Sequence, residues 1–213
     1  MSQNYQGFYA RFETFSKKDS GTLEGADTLI GDEFRFEFVS EDGVGRIVLK
    51  NKFDAQVGYF DENDSHKIRL LQAREWKIHI LMSLLAYSSE PAPGHYWGEM
   101  CVIAYHPSLE EPMGVFVDGI KEMLGQGLRP QIDLNESAVD TIVKQNGDWK
   151  PNDRVPLPEK KENMAIIKSK RSVSEKLVEE GRKGKIGCYI VSYAFIVVIV
   201  ALIVLILHLI GLF

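Results

Sequence analysis

The stretch FRFEFVSEDGVGRIVLKNKFDAQVGYF, residues 34–60, predicts a run of consecutive β-strands. In its first part Phe34, Phe36 and Phe38 alternate with the charged residues 35 and 37. This alternation is the period-two pattern of a strand that buries one face. Glu41-Asp42-Gly43 then predicts a turn, because an Asp-Gly pair tolerates the positive φ angles of tight hairpins.

Two further short strands are predicted in the rest of this stretch, at Val44–Leu49 and Ala55–Phe60. Asn51-Lys52 lies between them and is expected to close a hairpin. Upstream, residues 5–15 (YQGFYARFETF) are rich in aromatic side chains, which favour strands, and therefore predict an extended segment.

A helix and two longer strands are predicted next. Asp64 or Ser65 is a candidate N-cap, and Ile68 and Leu71 supply the apolar face of the helix. The strand candidates are Ile78–Tyr87 and Tyr96–Tyr105. This order of elements predicts an α+β domain, built on a small mixed sheet or a partly open, barrel-like β-sheet with several helices.

The following part of the chain is predicted to be mainly helical. Ser108 is a candidate cap for a helix that ends near Gly125 or Gly127, and Asn135 or Ser137 opens a second helix that stops at Asn146-Gly147. The apolar positions of the first helix are Val115, Phe116, Ile120, Met123 and Leu124. Beyond a proline-marked linker, the expected elements are an edge strand at Met164–Lys168 and a helix that starts with the capping box Ser172-x-x-Glu175.

The C-terminal stretch Ile186–Leu207 predicts a transmembrane helix. It has 22 residues without a charge, which at about 1.5 Å per residue reach roughly 33 Å and span the hydrocarbon core of a bilayer. Arg182, Lys183 and Lys185 precede it directly, and positive residues stay on the cytoplasmic side. The expected protein is single-pass and tail-anchored, with its N-terminal domain cytoplasmic and its C-terminus on the far side.

Charge is distributed unevenly along the chain and suggests three regions. Residues 1–149 contain 14 basic and 24 acidic residues and are expected to form the cytoplasmic globular domain. Residues 150–185 have 11 basic and 6 acidic residues and form a proline-marked, basic juxtamembrane neck, followed by the anchor at 186–213. An acidic body, a basic neck and an apolar tail are typical of a protein held at a membrane, with the lipid bilayer as its first partner.

Familiar catalytic motifs are missing from the sequence. It contains no Walker loop, no G-x-S-x-G and no H-E-x-x-H pattern, so no catalytic residue and no cofactor is predicted. His95-x5-Cys101-x4-His106 does not match a familiar zinc site, and strand parity places His106 on the opposite face, so no metal site is predicted. Cys101 lies among apolar residues and is expected to be a buried structural thiol.

The aromatic pair Tyr96-Trp97, which follows a Pro-x-Pro-Gly stretch, has two interpretations. It is a candidate binding surface, because aromatic side chains dominate many interfaces. Alternatively, it starts a strand whose aromatic rings belong to the core.

The order of elements over residues 34–105 resembles that of HIRAN domains. The resemblance rests on the strand pair Ile47–Phe60, with Gln56-Val57-Gly58-Tyr59-Phe60, followed by a helix and by a strand that begins Trp76-Lys77-Ile78. The N-x-x-D-x-x-A-I element of that family is missing. The resemblance implies a small β-barrel and DNA-end binding, but no binding residue is carried over.

Three hypotheses for the function follow. The first is a membrane-tethered, non-catalytic binding or scaffold module that recruits a partner protein. The second is a nucleic-acid-binding protein held at the membrane, which the HIRAN-like order suggests, although the acidic charge of residues 1–149 opposes contact with phosphates. The third is an enzyme whose site follows no familiar motif.

Overall fold

The structure is a computed structural model that describes residues 3–25, 27–41, 44–159, 161–182 and 195–201. It divides the chain into two compact units, Met1–Arg171 and Ser172–Phe213. Residues 150–171, which the sequence assigns to the neck, thus lie in the first unit. The predicted regional boundaries at residues 149 and 185 stay a prediction.

Strands and helices of the described ranges follow the predicted order, except that the helix Lys17–Glu24 was not predicted from the sequence. The strands are β1 Tyr5–Glu13, β2 Glu33–Glu41, β3 Val44–Lys50, β4 Gln56–Phe60, β5 Lys77–Ser88, β6 His95–Tyr105 and β7 Met164–Lys168. The helices are α1 Lys17–Glu24, α2 Glu62–Ala73, α3 Glu110–Gly125, α4 Glu136–Lys144 and α5 Val173–Arg182, with a 3₁₀ turn at Pro107–Leu109. The prediction of an α+β domain is confirmed.

Six of these strands form a closed antiparallel barrel. The sheet order is β2-β3-β4-β1-β6-β5-β7, and β2 also pairs with β5, which closes the ring. The first half of β5 meets β2 at Ile80 and Leu81, and its second half meets β7 from Leu85 to Ser88. The barrel-like alternative is therefore confirmed, with the barrel closed and its pairings antiparallel rather than mixed.

Strand β1 shows how alternation fills the barrel. Arg11 and Glu13 form an ion pair on its outer, accessible face, with 2.8 Å between the guanidinium and the carboxylate. Phe12 alternates with them and is fully buried. Its ring occupies the space beside Gly58 of β4 and Gly98 of β6, where an added Cβ would lie 3.0 and 2.5 Å from ring carbons. Glycine at these two positions lets one large aromatic side chain fill the barrel between neighbouring strands.

Helix α2 begins earlier than the sequence suggests. Asp61 is its N-cap, since its carboxylate accepts a hydrogen bond from the Asp64 amide at 2.8 Å. The expectation of Asp64 or Ser65 as the cap is therefore wrong. Ser65 is instead buried in the first turns, where its hydroxyl accepts from the Ile47 amide at 2.9 Å and donates to the Phe60 carbonyl at 3.2 Å. These bonds tie α2 to the barrel.

The start of helix α3 also differs from expectation. His106 caps the preceding 3₁₀ turn, because its Nδ1 accepts from the Ser108 amide, so Ser108 is not a helix cap. Val115 is 50% exposed, whereas Met113 and Val117 are buried. The apolar stripe is thus rotated relative to the predicted one, although the other four predicted positions are buried as expected.

Several local signals are confirmed. Gly127 follows α3 with φ of 82°, as expected for a glycine after a helix end, and Asn135 rather than Ser137 caps α4. Strand β7 has the predicted bounds. The capping box is complete, since the Glu175 carboxylate accepts from the Ser172 amide at 2.7 Å and the Glu175 amide donates to the Ser172 hydroxyl at 3.3 Å.

The predicted membrane segment falls largely outside the described residues. Lys183 and Lys185 and the Asp42-Gly43 turn also lie outside them, whereas Arg182 ends α5. None of the helices within the described ranges combines the length and the apolar content that a membrane crossing needs. Residues 195–201 are helical, and the apolar side chains from Phe195 to Val200 are exposed. The transmembrane helix stays a prediction.

Candidate functional site

Tyr96 and Trp97 are adjacent on β6, and their rings therefore point to opposite faces of the sheet. Trp97 is only 3% exposed, its indole N–H donates to the Ser88 hydroxyl at 2.9 Å, and the Arg11 guanidinium lies 4.1 Å from its ring centroid. Tyr96 is half-buried, with its ring 4.9 Å from that of Tyr87. The two residues do not form one aromatic platform.

Two positively charged residues of the predicted basic neck form hydrogen bonds within the first unit. The Lys168 ammonium donates to the carbonyl oxygens of Gly25 and Thr28, at 3.1 and 2.8 Å, and also to a third carbonyl just before the end of α1. The Arg171 Nε donates to the Ile30 carbonyl at 2.6 Å. A cation near a helix C-terminus also interacts favourably with the helix dipole. These two residues hold the chain after α1 in place against β7.

The soft metal-ligand candidates lie apart. His95 starts β6 and has its Nε2 3.6 Å from the Glu13 carboxylate, whereas His106 caps the turn beyond the other end of the strand. Cys101 is fully buried between them, and burial raises the pKa of its thiol well above the usual range. Within the described part of the chain, no group of three His, Cys, Asp or Glu side chains is placed to hold a metal ion.

A polar network that the sequence does not reveal joins β2, β5, β6 and α3. The His79 ring bonds to the Glu33 carboxylate at 2.7 Å through Nδ1 and to the Tyr105 hydroxyl at 2.9 Å through Nε2. The second Glu33 oxygen is 2.9 Å from the Lys121 ammonium. Burial acts to raise the pKa of Glu33, but the hydrogen bonds from His79 and Lys121 outweigh it and lower the pKa to about 2.

This network has the parts of a proton relay, but its atoms are engaged with one another. Both nitrogens of His79 and both oxygens of Glu33 have partners within it, and the side chain of Tyr105 is buried. Burial raises the pKa of Tyr105, which keeps its hydroxyl protonated. The arrangement is therefore best suited to fastening α3 to the barrel where β2 meets β5.

One edge of β1 is paired over only part of its length. The ladder with β6 covers all of Tyr5–Glu13, whereas the ladder with β4 covers only Phe12 and Glu13. The chain turns into α2 directly after Phe60, so β4 ends where it would otherwise run beside the first part of β1. Among the described residues, no strand pairs with this side of residues 5–11. We call this side, from Tyr5 to Arg11, the open edge.

The register with β6 shows which backbone groups face the open edge. The Thr14 amide donates to the Tyr96 carbonyl at 3.2 Å, and the His106 amide donates to the Asn4 carbonyl at 2.9 Å. Because the register is continuous between these bonds, even-numbered residues of β1 direct N–H and C=O toward β6, and odd-numbered residues direct them the other way. The residues that face the open edge are Tyr5, Gly7, Tyr9 and Arg11.

The open edge lies in a groove with two walls. A cavity of about 290 Å³ is lined by residues 6–9 of β1, by Lys67 of α2 on one side, and by residues 131–133 and Val155 on the other. Phe8, Ile132 and Val155 make its surface largely apolar, and Lys67 and Asp133 add one charge of each sign. We call this cavity with its walls the edge groove.

The second wall is held against the barrel by buried polar contacts. The hydroxyls of Tyr5 and Tyr9 donate to the carbonyls of Ile132 and Pro130, at 2.9 and 3.0 Å. The Arg129 side chain, only 4% exposed, forms an ion pair with Glu99 and donates to the Pro156 carbonyl at 2.8 Å, with its guanidinium 4.6 Å from the Tyr9 ring centroid. The groove is thus preformed on a firmly held scaffold.

The edge groove is the candidate functional site, because it combines an accessible cavity, a preformed wall and backbone hydrogen-bonding groups without a partner in the described chain. Neither Tyr96 nor Trp97 lines it. Comparisons of the chain with protein-family models, with curated proteins and with solved structures find no match.

Proposed function

We propose that the protein is a single-pass membrane protein, anchored through Ile186–Leu207, whose barrel domain is a non-catalytic binding module on the cytoplasmic side. The observation that carries this proposal is the uncharged run of 22 residues behind Arg182, Lys183 and Lys185. The exposed apolar side chains of the helical residues 195–201 support it, because such a surface calls for burial in lipid or protein.

A binding role fits the polar chemistry of the barrel better than a catalytic one. In the Glu33–His79–Tyr105 network each reactive group already has a partner, and the buried Cys101 thiol has a raised pKa. The edge groove, in contrast, offers an open cavity. Nucleic-acid binding is less favoured, because residues 1–149 have a net charge of −10 and phosphate contacts require clustered cations.

Membrane attachment is tested by fractionation of cells that express the full chain with a tag at each end. We expect the protein to sediment with membranes, to resist extraction with alkaline carbonate, and to keep its N-terminal tag protected from protease added outside intact cells. Recovery in the soluble fraction would refute the anchor, and cleavage of the N-terminal tag from outside would reverse the proposed orientation.

The binding role is tested at the edge groove itself. A photo-crosslinking amino acid placed at Val155, in the groove wall, is expected to form a defined adduct with a cellular protein. Leu157 is the matched control, since it lies two residues further along the same segment, is exposed and does not line the groove. The same adducts from both positions, or none from Val155, would contradict a binding role for the groove.

A further inference from the structure

We infer that the edge groove binds an extended, apolar and basic peptide segment of a partner protein, which adds to the barrel as a strand beside Gly7–Arg11. The inference deepens the proposed binding function, on which it rests for the existence of a partner. It assigns to that partner a conformation, a backbone register and a charge.

The backbone of the open edge selects the conformation. Gly7, Tyr9 and Arg11 direct N–H and C=O away from β6, and no described residue pairs with them there. These groups recur at every second residue, which is the spacing of hydrogen-bonding groups on another extended strand. Strand addition to a free sheet edge is a general mode of peptide recognition, in which the main chain supplies affinity and side-chain pockets supply selectivity.

The walls of the groove favour a flexible segment over the edge of a second barrel. Lys67 flanks the open edge on one side, and Ile132 and Val155 flank it on the other. The Ile132 carbonyl approaches Gly7 so closely that an added Cβ would lie 2.2 Å from its oxygen. A strand edge within a folded sheet brings its neighbouring strands along with it, whereas a single peptide strand has no such neighbours, so the two walls favour the peptide.

Charge selects the sequence of the segment. Lys67 already pairs with Asp64, with 2.8 Å between the ammonium and the carboxylate. Asp133, at the other wall, is exposed and has no ion-pair partner within the described part of the chain. The first unit as a whole, Met1–Arg171, is acidic, with 21 basic and 27 acidic residues and a net charge of −6. A segment with alternating apolar residues and a Lys or Arg opposite Asp133 complements this surface.

The inference is tested with a random dodecapeptide display library selected against the full chain in detergent micelles. We expect enrichment of peptides with alternating apolar and basic residues. For a synthetic peptide of the enriched sequence, Val155→Trp should weaken binding about tenfold or more by filling the groove, and Leu157→Trp should leave the Kd within about twofold. Fluorescence anisotropy of the labelled peptide measures both values.

The decisive measurement uses backbone N-methylation of the same peptide. Methyl groups on the alternate residues that face β1 remove donors and block the ladder, so they should weaken binding about tenfold or more, whereas methyl groups on the intervening residues should have little effect. Failure to enrich any peptide, equal effects of both methylation patterns, or full binding to Val155→Trp would each overturn the inference.

The outcome separates this inference from the proposed function. Peptide binding with the expected methylation pattern by a protein that fractionates as soluble would refute the anchor and leave the edge groove intact. A photo-crosslinked partner at Val155 combined with insensitivity to methylation would retain the binding module and remove strand addition.

Discussion

Replacement of Glu99 by Gln is expected to loosen the wall of the edge groove. The Arg129 guanidinium is only 4% exposed, and the Glu99 carboxylate, 20% exposed, is its ion-pair partner. The substitution keeps the size of the side chain but leaves the buried Arg129 charge without a counter-charge. Loss of one partner of a buried ion pair destabilises a protein by about 3 to 5 kcal/mol, and the partial exposure of Glu99 places our expectation near 3 kcal/mol. In a chain of this size that corresponds to a fall in Tm of roughly 6 to 12 °C.

Thermal unfolding of the full chain in detergent, followed by circular dichroism, measures this change. Glu13→Gln is the matched control, because the Glu13–Arg11 pair lies on the neighbouring strand and is exposed, so the expected cost is within about 1 kcal/mol. Hydrogen exchange should show faster exchange of residues 129–134 in Glu99→Gln. Replacement of both partners by apolar residues, Glu99→Leu with Arg129→Met, should restore most of the stability. If Glu99→Gln costs no more than Glu13→Gln, the assignment of this pair as the fastening of the wall is wrong.

Three further predictions concern other parts of the barrel. The pKa of Glu33 is about 2 in the folded protein and near 4.5 in the unfolded chain. The ionised carboxylate therefore stabilises the fold above pH 4.5, and this stabilisation is lost as the pH falls toward 2. Glu33→Gln should flatten this part of the curve of Tm against pH. Lys168→Met removes an ammonium that donates to three carbonyls, so the free energy of unfolding measured with denaturant should fall by about 1 to 3 kcal/mol. Lys170 is exposed, and Lys170→Met should change it by less than about 0.5 kcal/mol. In a chain with Cys188→Ser, the Cys101 thiol should react with a maleimide at neutral pH only after denaturant is added. Burial raises the pKa of this thiol and blocks access to it. Rapid labelling of the native protein would contradict its burial.

Strands could be predicted from the sequence because their signals are local. The alternation at Phe34, Phe36 and Phe38 is a period-two pattern, and Met164–Lys168 is a short apolar run that ends in a lysine. Helix N-caps were harder to predict, because several polar residues in a row are each able to cap the helix. Asp61 rather than Asp64 caps α2, and this choice follows from where β4 ends at Phe60, which no local pattern fixes.

The candidate site could not be predicted from the sequence, because it arises where backbone pairing between β4 and β1 is incomplete. The open edge exists since β4 pairs with only the last two residues of β1 before the chain turns into α2. Its second wall comes from residues more than 120 positions away, held by Tyr5 and Tyr9 through single hydroxyl groups. Likewise, the sequence left open whether Trp97 belongs to a binding surface or to the core, and the packed structure shows that it is buried.

The pairing of β1 with β6 has a consequence for the order in which the protein folds. Tyr5 lies opposite Tyr105, so the first strand waits for about a hundred residues to be synthesised before its main partner exists. Closing so long a loop is entropically costly, and topologies dominated by distant pairings fold slowly. During this interval the side of β1 that later pairs with β6 is free, and in the finished barrel residues 5–11 stay unpaired with any described strand on the opposite side. An unpaired aromatic strand can pair with the wrong partner, so the nascent chain is exposed to misassembly until β6 is made. In the folded protein, the open edge is the part of β1 that keeps this exposure.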